Sequence, residues 1–273
     1  MHIGCHVSIA GGVFNAPKNA ADFGCEAMQI FTRSPQGGKA PELTPEILKK
    51  FKLSVESCKL SVIVVHTPFY INYASADNRI RHSTVAIVRD ELERASLLGA
   101  KYVMTHLGSA GELFENEASE KVAEMLKKTL DGYTGSAELL LENAAGSGKI
   151  IGATFSQLSE IIKLVNHTKL VGICLDTQHS FASGYDWRDF DNTLKKIDSE
   201  IGLAKIKLIH CNDSKTELAS RKDRHEHIGK GLIGEAAFKN ITKFAQEKNI
   251  DMILETEHDF VKEDVDLLKS FRK

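Results

Sequence analysis

The sequence lacks a strong net charge, paired cysteines and any long apolar run. Its 273 residues include 35 lysines and arginines against 37 aspartates and glutamates, which gives a formal charge of −2. Bulk charge therefore does not indicate a nucleic-acid or membrane partner, and polyanion binding would need a local patch or bound metal. With 42% hydrophobic residues, the chain can bury a core, which excludes a disordered protein.

Cysteine is scarce and unpaired. The five cysteines are widely spaced and form no C-x-x-C pair, which argues against a disulfide framework or a cysteine-rich zinc ribbon. No window approaches about 18 uninterrupted apolar residues, and the first residues show neither the charged region nor the cleavage site of a secretory signal. We therefore expect a cytoplasmic protein in a reducing compartment, without membrane association.

Short β-rich runs alternate with amphipathic segments along the chain. The apolar stripe of Val85–Leu98 predicts a helix, and Thr44 before Pro45 predicts the start of another. The predicted strands are Ile3–Val7, Ala27–Phe31, Ser61–His66, Tyr102–His106, Glu138–Glu142, Leu170–Asp176, Lys205–His210 and Asp251–Glu255. Because eight strand–helix units follow one another without a linker, we predict an α/β protein, a (β/α)8 TIM barrel with a single domain over residues 1–273, rather than an open doubly wound sheet.

Both faces of these strands are apolar until their last residues. In Leu170–Asp176, for example, alternate residues are apolar on both sides and only the terminal Asp176 is charged. This pattern is typical of parallel strands that have helices outside and barrel core inside. The predicted strand Lys205–His210 fits less well, since Lys205 and Lys207 fall on the face that should meet helices.

Six of the predicted strands end in an imidazole or a carboxylate. These residues are His66, His106, Glu142, Asp176, His210 and Glu255. The carboxyl ends of barrel strands meet at one rim, where catalytic residues collect. So many such groups in one place would cost desolvation energy unless cations lay between them, and both side-chain types are ligands for zinc, iron or manganese. The pattern therefore predicts a metal cluster.

Three further residues extend this set. His179 follows Asp176 by three residues, and Asp223 and His225 form an i, i+2 pair that projects to one side of an extended chain. Nine candidate ligands are too many for one zinc ion and suit three. A multi-metal site of this kind is suited to hydrolysis at phosphorus.

Several motifs resemble those of the endonuclease IV family of zinc-dependent apurinic/apyrimidinic (AP) endonucleases, in order over almost the whole chain. The DTxH and DRHxxIGxG motifs are together highly specific. The segments that carry the resemblance are Gly4-Cys5-His6-Val7-Ser8 with Gly11-Gly12, Phe31-Thr32-Arg33-Ser34-Pro35, Leu141-Glu142-Asn143 with Gly146, Asp176-Thr177-Gln178-His179, His210-Cys211-Asn212-Asp213-Ser214-Lys215 and Asp223-Arg224-His225-Glu226-His227-Ile228-Gly229.

The resemblance implies a set of roles for the nine residues. His66 and His106 would hold the first zinc ion, and Glu142 would bridge it to the second. Asp176, His210 and Glu255 would complete the second site, while His179, Asp223 and His225 would hold the third; Mn2+ or Fe2+ could replace zinc at some positions. The implied reaction is hydrolysis of the phosphodiester 5′ to an abasic site in duplex DNA by a metal-bound hydroxide that Glu142 orients, leaving a 3′-hydroxyl and a 5′-deoxyribose phosphate.

The same resemblance suggests DNA contacts and shows where this chain departs from the family. Many relatives carry an arginine and an aromatic residue in the loop after strand two, where this chain has Gln36-Gly37-Gly38-Lys39. After strand three, Phe69 and Tyr70 replace the commoner tyrosine–leucine pair. We expect weaker or differently shaped duplex engagement, with contacts from Arg33, Lys39, Phe69, Tyr70, Lys215 and Arg224, in a monomer without an organic cofactor.

Two other functions remain open at this stage. A metal-dependent sugar isomerase or epimerase on a similar barrel would need one or two ions, which would leave the Asp223/His225 pair superfluous. A non-catalytic binder of DNA lesions would not need the complete ligand set. Two histidines are also undecided: His6 is a ligand or a supporting group in equal measure, and for His227 we expect a supporting role.

Overall fold

The chain folds into a closed barrel of eight parallel strands surrounded by helices. The computed structural model describes residues 1–272. The barrel strands are β1 (Ile3–His6), β2 (Ala27–Ile30), β3 (Val62–His66), β4 (Tyr102–Thr105), β5 (Glu138–Glu142), β6 (Leu170–Asp176), β7 (Ile206–His210) and β10 (Asp251–Leu254). Consecutive strands pair in parallel, and β10 closes the barrel between β7 and β1. The predicted TIM barrel is confirmed, while the single-domain boundary 1–273 stays a prediction.

The predicted strand limits were slightly too long. β1, β2, β4 and β10 each end one residue before the predicted limit, and β3 and β7 each begin one residue later. His106 and Glu255 therefore lie just beyond their strands rather than inside them. Ladder hydrogen bonding ends there because the backbone turns into the loops of the rim, which apolar patterning alone does not reveal.

Nine α-helices lie within residues 1–272, one more than the eight helical segments predicted. They are α1 (Ala16–Asp22), α2 (Pro45–Cys58), α3 (Asn78–Leu97), α4 (Glu115–Leu130), α5 (Phe155–Val165), α6 (Thr177–Ser183), α7 (Phe190–Glu200), α8 (Glu235–Lys248) and α9 (Val261–Ser270). The extra helix arises because two helices, α6 and α7, follow β6 before β7 begins. Among the described residues, no helix is both long and apolar enough to cross a membrane.

Side-chain caps decide where two of the helices begin. The predicted start of α2 is confirmed, since the Thr44 hydroxyl accepts a hydrogen bond from the Ile47 amide and Pro45 opens the helix. The prediction for α3 was too short, because this helix begins at Asn78 and not at Val85. Asp77 caps it by accepting the Arg79 amide at 2.8 Å, and the polar first turns carry no apolar stripe to reveal them.

The two faces of the strands divide the apolar residues as their parity predicts. One set packs between strands and helices, and a smaller set fills the barrel interior. The interior set comprises Ala27, Val62, Val64, Tyr102, Met104, Leu140, Cys174, Leu208 and Ile253. The two misfit lysines are explained by the strand limit: Lys205 precedes β7 and is exposed, and Lys207 is only partly buried. The interior is therefore a packed core that ends where the polar rim begins.

A carboxylate organises the long connection between β7 and α8. This connection contains a two-stranded antiparallel sheet of β8 (Asp213–Ser214) and β9 (His225–Glu226). The buried carboxylate of Asp213 accepts hydrogen bonds of 2.7–3.3 Å from five backbone amides, those of Ser214, Gly229, Gly231, Ile233 and Gly234. Because these amides belong to distant parts of the connection, Asp213 holds it in one shape.

Replacing Asp213 by alanine should therefore destabilise the protein and loosen this connection. Five amides would lose a charged acceptor, and hydrogen bonds to charged groups contribute ~1.5–3 kcal/mol each, so we expect a loss of at least ~2 kcal/mol after relaxation. Urea unfolding and limited proteolysis within residues 215–230 measure both effects. The control is Asp22→Ala, which removes an exposed carboxylate paired with Lys18. Equal stability of the two variants would contradict the role of Asp213.

Candidate metal centre

The barrel brings the predicted strand-end residues to one rim. Inward-facing residues alternate along a strand, and each of the six is the last inward residue at the carboxyl end of its own strand. Their ligand atoms fall into groups that lie within 4.8 Å of one another. The groups are His66–His106–Glu142, Asp176–His179–His225 and Glu142–Asp176–His210–Glu255. Eight of the nine candidates therefore belong to a group that could hold a metal ion.

Glu142 lies between two of these groups. Its Oε2 atom is 3.3 Å from His106 Nε2 and 3.9 Å from His66 Nε2. Its Oε1 atom is 3.0 Å from His210 Nδ1 and 3.4 Å from His179 Nδ1. Two ligands of one tetrahedral zinc ion lie roughly 3–4 Å apart. The two oxygens therefore face different groups, as a bridging carboxylate requires.

Asp176 also belongs to two groups, which the sequence did not indicate. Its Oδ2 atom is 3.8 Å from His225 Nε2, and its Oδ1 atom accepts the backbone amide of His179 at 2.7 Å at the start of α6. Glu255 completes the middle group, with its Oε2 atom 3.1 Å from His210 Nδ1. The cluster is thus one continuous array rather than three separate sites.

Asp223 joins the third group from the solvent side. Its two oxygens are 3.3 Å from His179 Nε2 and 3.4 Å from His225 Nε2. The side chain is 59% exposed, whereas His66, Glu142 and His210 are almost fully buried. The array therefore runs from a buried floor to an open mouth. A cavity of about 320 Å³ lies over it, and His106, His179 and Asp223 are among its walls.

Hydrogen bonds orient the imidazoles of the cluster. His66 Nδ1 lies 2.5 Å from the carbonyl oxygen of Thr67, and His179 Nδ1 lies 3.0 Å from that of Asn143. A carbonyl can only accept, so each Nδ1 carries a hydrogen and each Nε2 presents a lone pair to the cluster. Such contacts fix the tautomer of a metal-binding histidine.

Burial and neighbouring charges shift the pKa values in opposite directions. Burial lowers the pKa of His66 to about 4, so its imidazole is neutral at pH 7. Burial would raise the pKa of Glu142, but the His106 and His210 imidazoles outweigh it and hold this pKa well below its usual range. Burial opposes the charged form of His210, yet the negative groups around it raise its pKa well above normal. A cation would take over the charge balance that a proton provides there.

Three buried atoms test whether metal ions suit the cluster. Glu142 Oε2, His179 Nε2 and His225 Nε2 have no hydrogen-bond partner among residues 1–272. Leaving such groups unpartnered is costly, and all three atoms point into the cluster. Oxygen and imidazole nitrogen are ligands that zinc, manganese and iron accept. The residues therefore fit the metal ions that the family resemblance implies.

Sequence reasoning missed the amides that support these ligands. Asn143 exchanges two hydrogen bonds with the backbone of Asp176, at 2.7 and 3.0 Å. Asn212 donates to Asp176 Oδ2 at 2.7 Å and accepts the Glu255 amide at 2.8 Å. Asn143 directly follows the ligand Glu142, and Asn212 follows the ligand His210 by two residues. This closeness to a ligand is the signal that could have identified them.

The two undecided histidines lie outside the three groups. His227 contacts Asp264 at 2.7 Å and Asp259 at 3.2 Å through its two ring nitrogens, which leaves neither for a metal ion. This pairing agrees with the supporting role expected for it. His6 lines the cavity and lies 3.0 Å from an amide nitrogen of Gln29.

The predicted DNA contacts divide into exposed residues and one buried residue. Lys39, Phe69, Tyr70, Lys215 and Arg224 are exposed on loops of the rim. Phe69 is 65% exposed, and its ring lies 5.7 Å from that of His66.

Arg33, in contrast, is buried. Its guanidinium is bound by Asp90 and Glu91 of α3. Placing Arg33 among the DNA contacts is not supported, because its charge is already neutralised inside the protein. The sequence alone could not show that α3 offers these two acids to the loop after β2.

The comparisons with known proteins agree with this geometry. The family model described as "Xylose isomerase-like TIM barrel" matches residues 17–271. A "Probable endonuclease 4" from Methanoculleus marisnigri is 40% identical over 258 residues, which are 93% of this chain and 92% of the relative. The crystal structure of endonuclease IV from Thermus thermophilus has a TM-score of 0.87 at 35% identity, covering 100% of this chain and 98% of that one.

A more distant structure shares the fold alone. A D-tagatose 3-epimerase-like protein has a TM-score of 0.77 at 24% identity and covers 99% of this chain and 97% of its own. The barrel and its rim of imidazoles and carboxylates thus define a xylose isomerase-like TIM barrel. Within that class, the chain belongs to the endonuclease IV family, which confirms the resemblance seen in its motifs.

Metal content should distinguish the bridging residue from a ligand of one group. We expect Glu142→Ala to lose at least two of three zinc ions, because Glu142 faces two groups, and His225→Ala to lose one. Elemental analysis after dialysis measures the ratio. Glu56→Ala and His82→Ala, which change exposed residues of α2 and α3, are the matched controls. Full metal content in Glu142→Ala would refute the bridging assignment.

Proposed function

We propose that this protein is a DNA-repair endonuclease that hydrolyses the phosphodiester 5′ to abasic sites in duplex DNA. The products would be a 3′-hydroxyl and a 5′-deoxyribose phosphate. The observation that carries the proposal is the contact of His179 and His225 with Asp223, next to Glu142 and at the open side of the cluster. This contact adds a third group to a site for two ions, as a phosphodiester with charge on several oxygens would use.

The residues divide the work by depth in the cavity. His66, His106, Glu142, Asp176, His179, His210, Asp223, His225 and Glu255 would hold three zinc ions. When bound, the zinc ions would supply hydroxide near neutral pH and offset charge on the attacked phosphate and the leaving oxygen. Glu142, buried between two groups, would orient the attacking water through whichever oxygen faces it. The partly exposed Asp223 and His106 would meet the substrate first.

The cavity and its surroundings suit an abasic nucleotide. Its volume of about 320 Å³ is close to that of a sugar with its phosphates, and reaching it requires that the nucleotide leave the duplex. Flipping costs least where no base remains to unstack. Phe69 and Tyr70 would contact the opened duplex, while Lys39, Lys215 and Arg224 would contact phosphates. Arg33 is left out of this set because Asp90 and Glu91 already bind it.

Two other functions can be weighed against the same residues. A sugar isomerase or epimerase would share the barrel and the buried groups around Glu142, but would have no use for the Asp223–His225 pair. A lesion-binding protein without activity would gain nothing from nine clustered ligands that are mostly buried, because burying them costs stability. Both alternatives lead to different outcomes in one assay.

Purified protein should cut a duplex oligonucleotide that carries one abasic analogue, and a metal chelator should stop the reaction. Gel analysis locates the cut, and extension of the product by a DNA polymerase shows a 3′-hydroxyl. An undamaged duplex of the same sequence is the control. We expect Glu142→Ala to reduce the rate by at least ~100-fold, since removing a group that stabilises the transition state has effects of this size.

The contrary outcomes are equally specific. Sugar turnover without cutting would favour the isomerase, and tight binding without cutting would favour the lesion binder. Cutting that survives complete removal of metal would contradict the metal centre itself.

DNA binding should weaken steeply with salt. Each phosphate contact made by a lysine or arginine releases counterions, so three to four contacts predict a fall of roughly 50- to 150-fold in affinity between ~50 and ~200 mM salt. Fluorescence anisotropy with Glu142→Ala, which should bind without cutting, measures it. The variant Lys215→Ala should show a slope smaller by about one unit. A flat response would argue against duplex DNA as the substrate.

A further inference from the structure

Gln29 is a buried polar residue inside the barrel, directly below the metal cluster. It lies on β2 with none of its surface exposed, and its side chain contacts three residues of the rim. Its Oε1 atom is 2.7 Å from His210 Nε2, and its Nε2 atom is 2.6 Å from Glu255 Oε1 and 3.0 Å from His6 Nδ1. β2 supplies no metal ligand, so Gln29 is its contribution to the rim.

Only one orientation of the Gln29 amide suits these neighbours. The carboxylate of Glu255 can only accept, so the amide NH2 group must face it. The same NH2 group has a second hydrogen, which His6 Nδ1 accepts. Burial lowers the pKa of His6 to about 3, so this ring is neutral and its Nδ1 atom is able to accept. The carbonyl oxygen of Gln29 must therefore face His210.

This orientation fixes the hydrogen on His210. A carbonyl oxygen cannot donate, so His210 Nε2 must carry a hydrogen and donate it to Gln29 Oε1. The other ring nitrogen, Nδ1, faces Glu142 Oε1 at 3.0 Å and Glu255 Oε2 at 3.1 Å. His210 thus presents Nδ1 to the cluster, opposite to His66 and His179, which present Nε2.

From these contacts we infer that Gln29 is a positioning residue for the middle metal group. It sets the tautomer of His210 and holds Glu255 by the same amide, so that a nitrogen lone pair and a carboxylate oxygen converge on one ion. The inference rests on the metal centre proposed above and assigns to it a residue from a stretch of rim without a ligand. His6 acts one step further out, because it orients the Gln29 amide.

The test is the zinc affinity of the whole protein after Gln29 is replaced by leucine. Leucine has similar volume but neither accepts from His210 nor donates to Glu255. Partners of this kind contribute ~10–100-fold in metal affinity, so we expect a fall of that size for one of the three ions and no change for the other two. Competition with a chromophoric chelator measures each affinity. The matched control is Gln157→Leu, which removes a buried amide that contacts only the Gly152 backbone.

A spectroscopic measurement separates positioning from a loss of packing. In zinc-loaded protein labelled with 15N-histidine, His210 should show a protected Nε2–H resonance, which should disappear in Gln29→Leu and remain in Gln157→Leu. Gln29→Glu divides the two contacts. Its carboxylate can accept from His210 Nε2 but cannot donate to Glu255, so the resonance should remain while one zinc ion binds more weakly.

Each outcome decides one statement. Unchanged zinc affinities together with an unchanged His210 resonance in Gln29→Leu would overturn the inference about Gln29. Wild-type protein that fails to bind zinc would instead overturn the metal centre, whatever Gln29 does. If Gln29→Leu does not fold, Gln29→Met provides the same test, because its unbranched side chain follows the path of glutamine and also lacks both contacts.

Discussion

The structure depends on one electrostatic constraint: several imidazoles and carboxylates are buried together at one end of a closed barrel. Glu142, Asp176 and His210 are almost completely removed from water. Charged groups in such a place must be paired, hydrogen-bonded or bound to cations. The amides of Asn143, Asn212 and the inner strands satisfy some of their atoms, and the atoms left over point toward the same space. The need to compensate these atoms explains both the supporting network and the requirement for metal.

Much of the fold and of the ligand set could be predicted because one rule governs both. Parallel strands with two apolar faces that end in an imidazole or carboxylate place those ends on one rim. His66 and Glu255 lie 189 positions apart, yet their side chains are 3.9 Å from each other. The rest depends on contacts between elements. Arg33 was assigned to DNA because its loop follows β2, but only the packed structure shows that Asp90 and Glu91 bind it. Polar residues within strands, such as Gln29, have no periodic signal.

The barrel itself says little about chemistry, since proteins that act on sugars share it. What distinguishes this chain is the connection between β7 and α8. Asp213 gathers five amides of that connection, and β9 within it presents His225 while the preceding residues present Asp223. An added loop, rather than a change in the barrel, therefore converts a floor of buried ligands into an array that reaches the open side. This division agrees with the general separation of scaffold and site in TIM barrels.

The pairing of β10 with both β1 and β7 has a consequence for how the protein is made. β10 leaves the ribosome last and leads directly into Glu255. Until it docks, the first and seventh strands are open edges that can pair with other chains. The same docking event removes both edges and delivers the final carboxylate to the rim. Completion of synthesis, protection from aggregation and readiness to take up metal are therefore a single step for this chain.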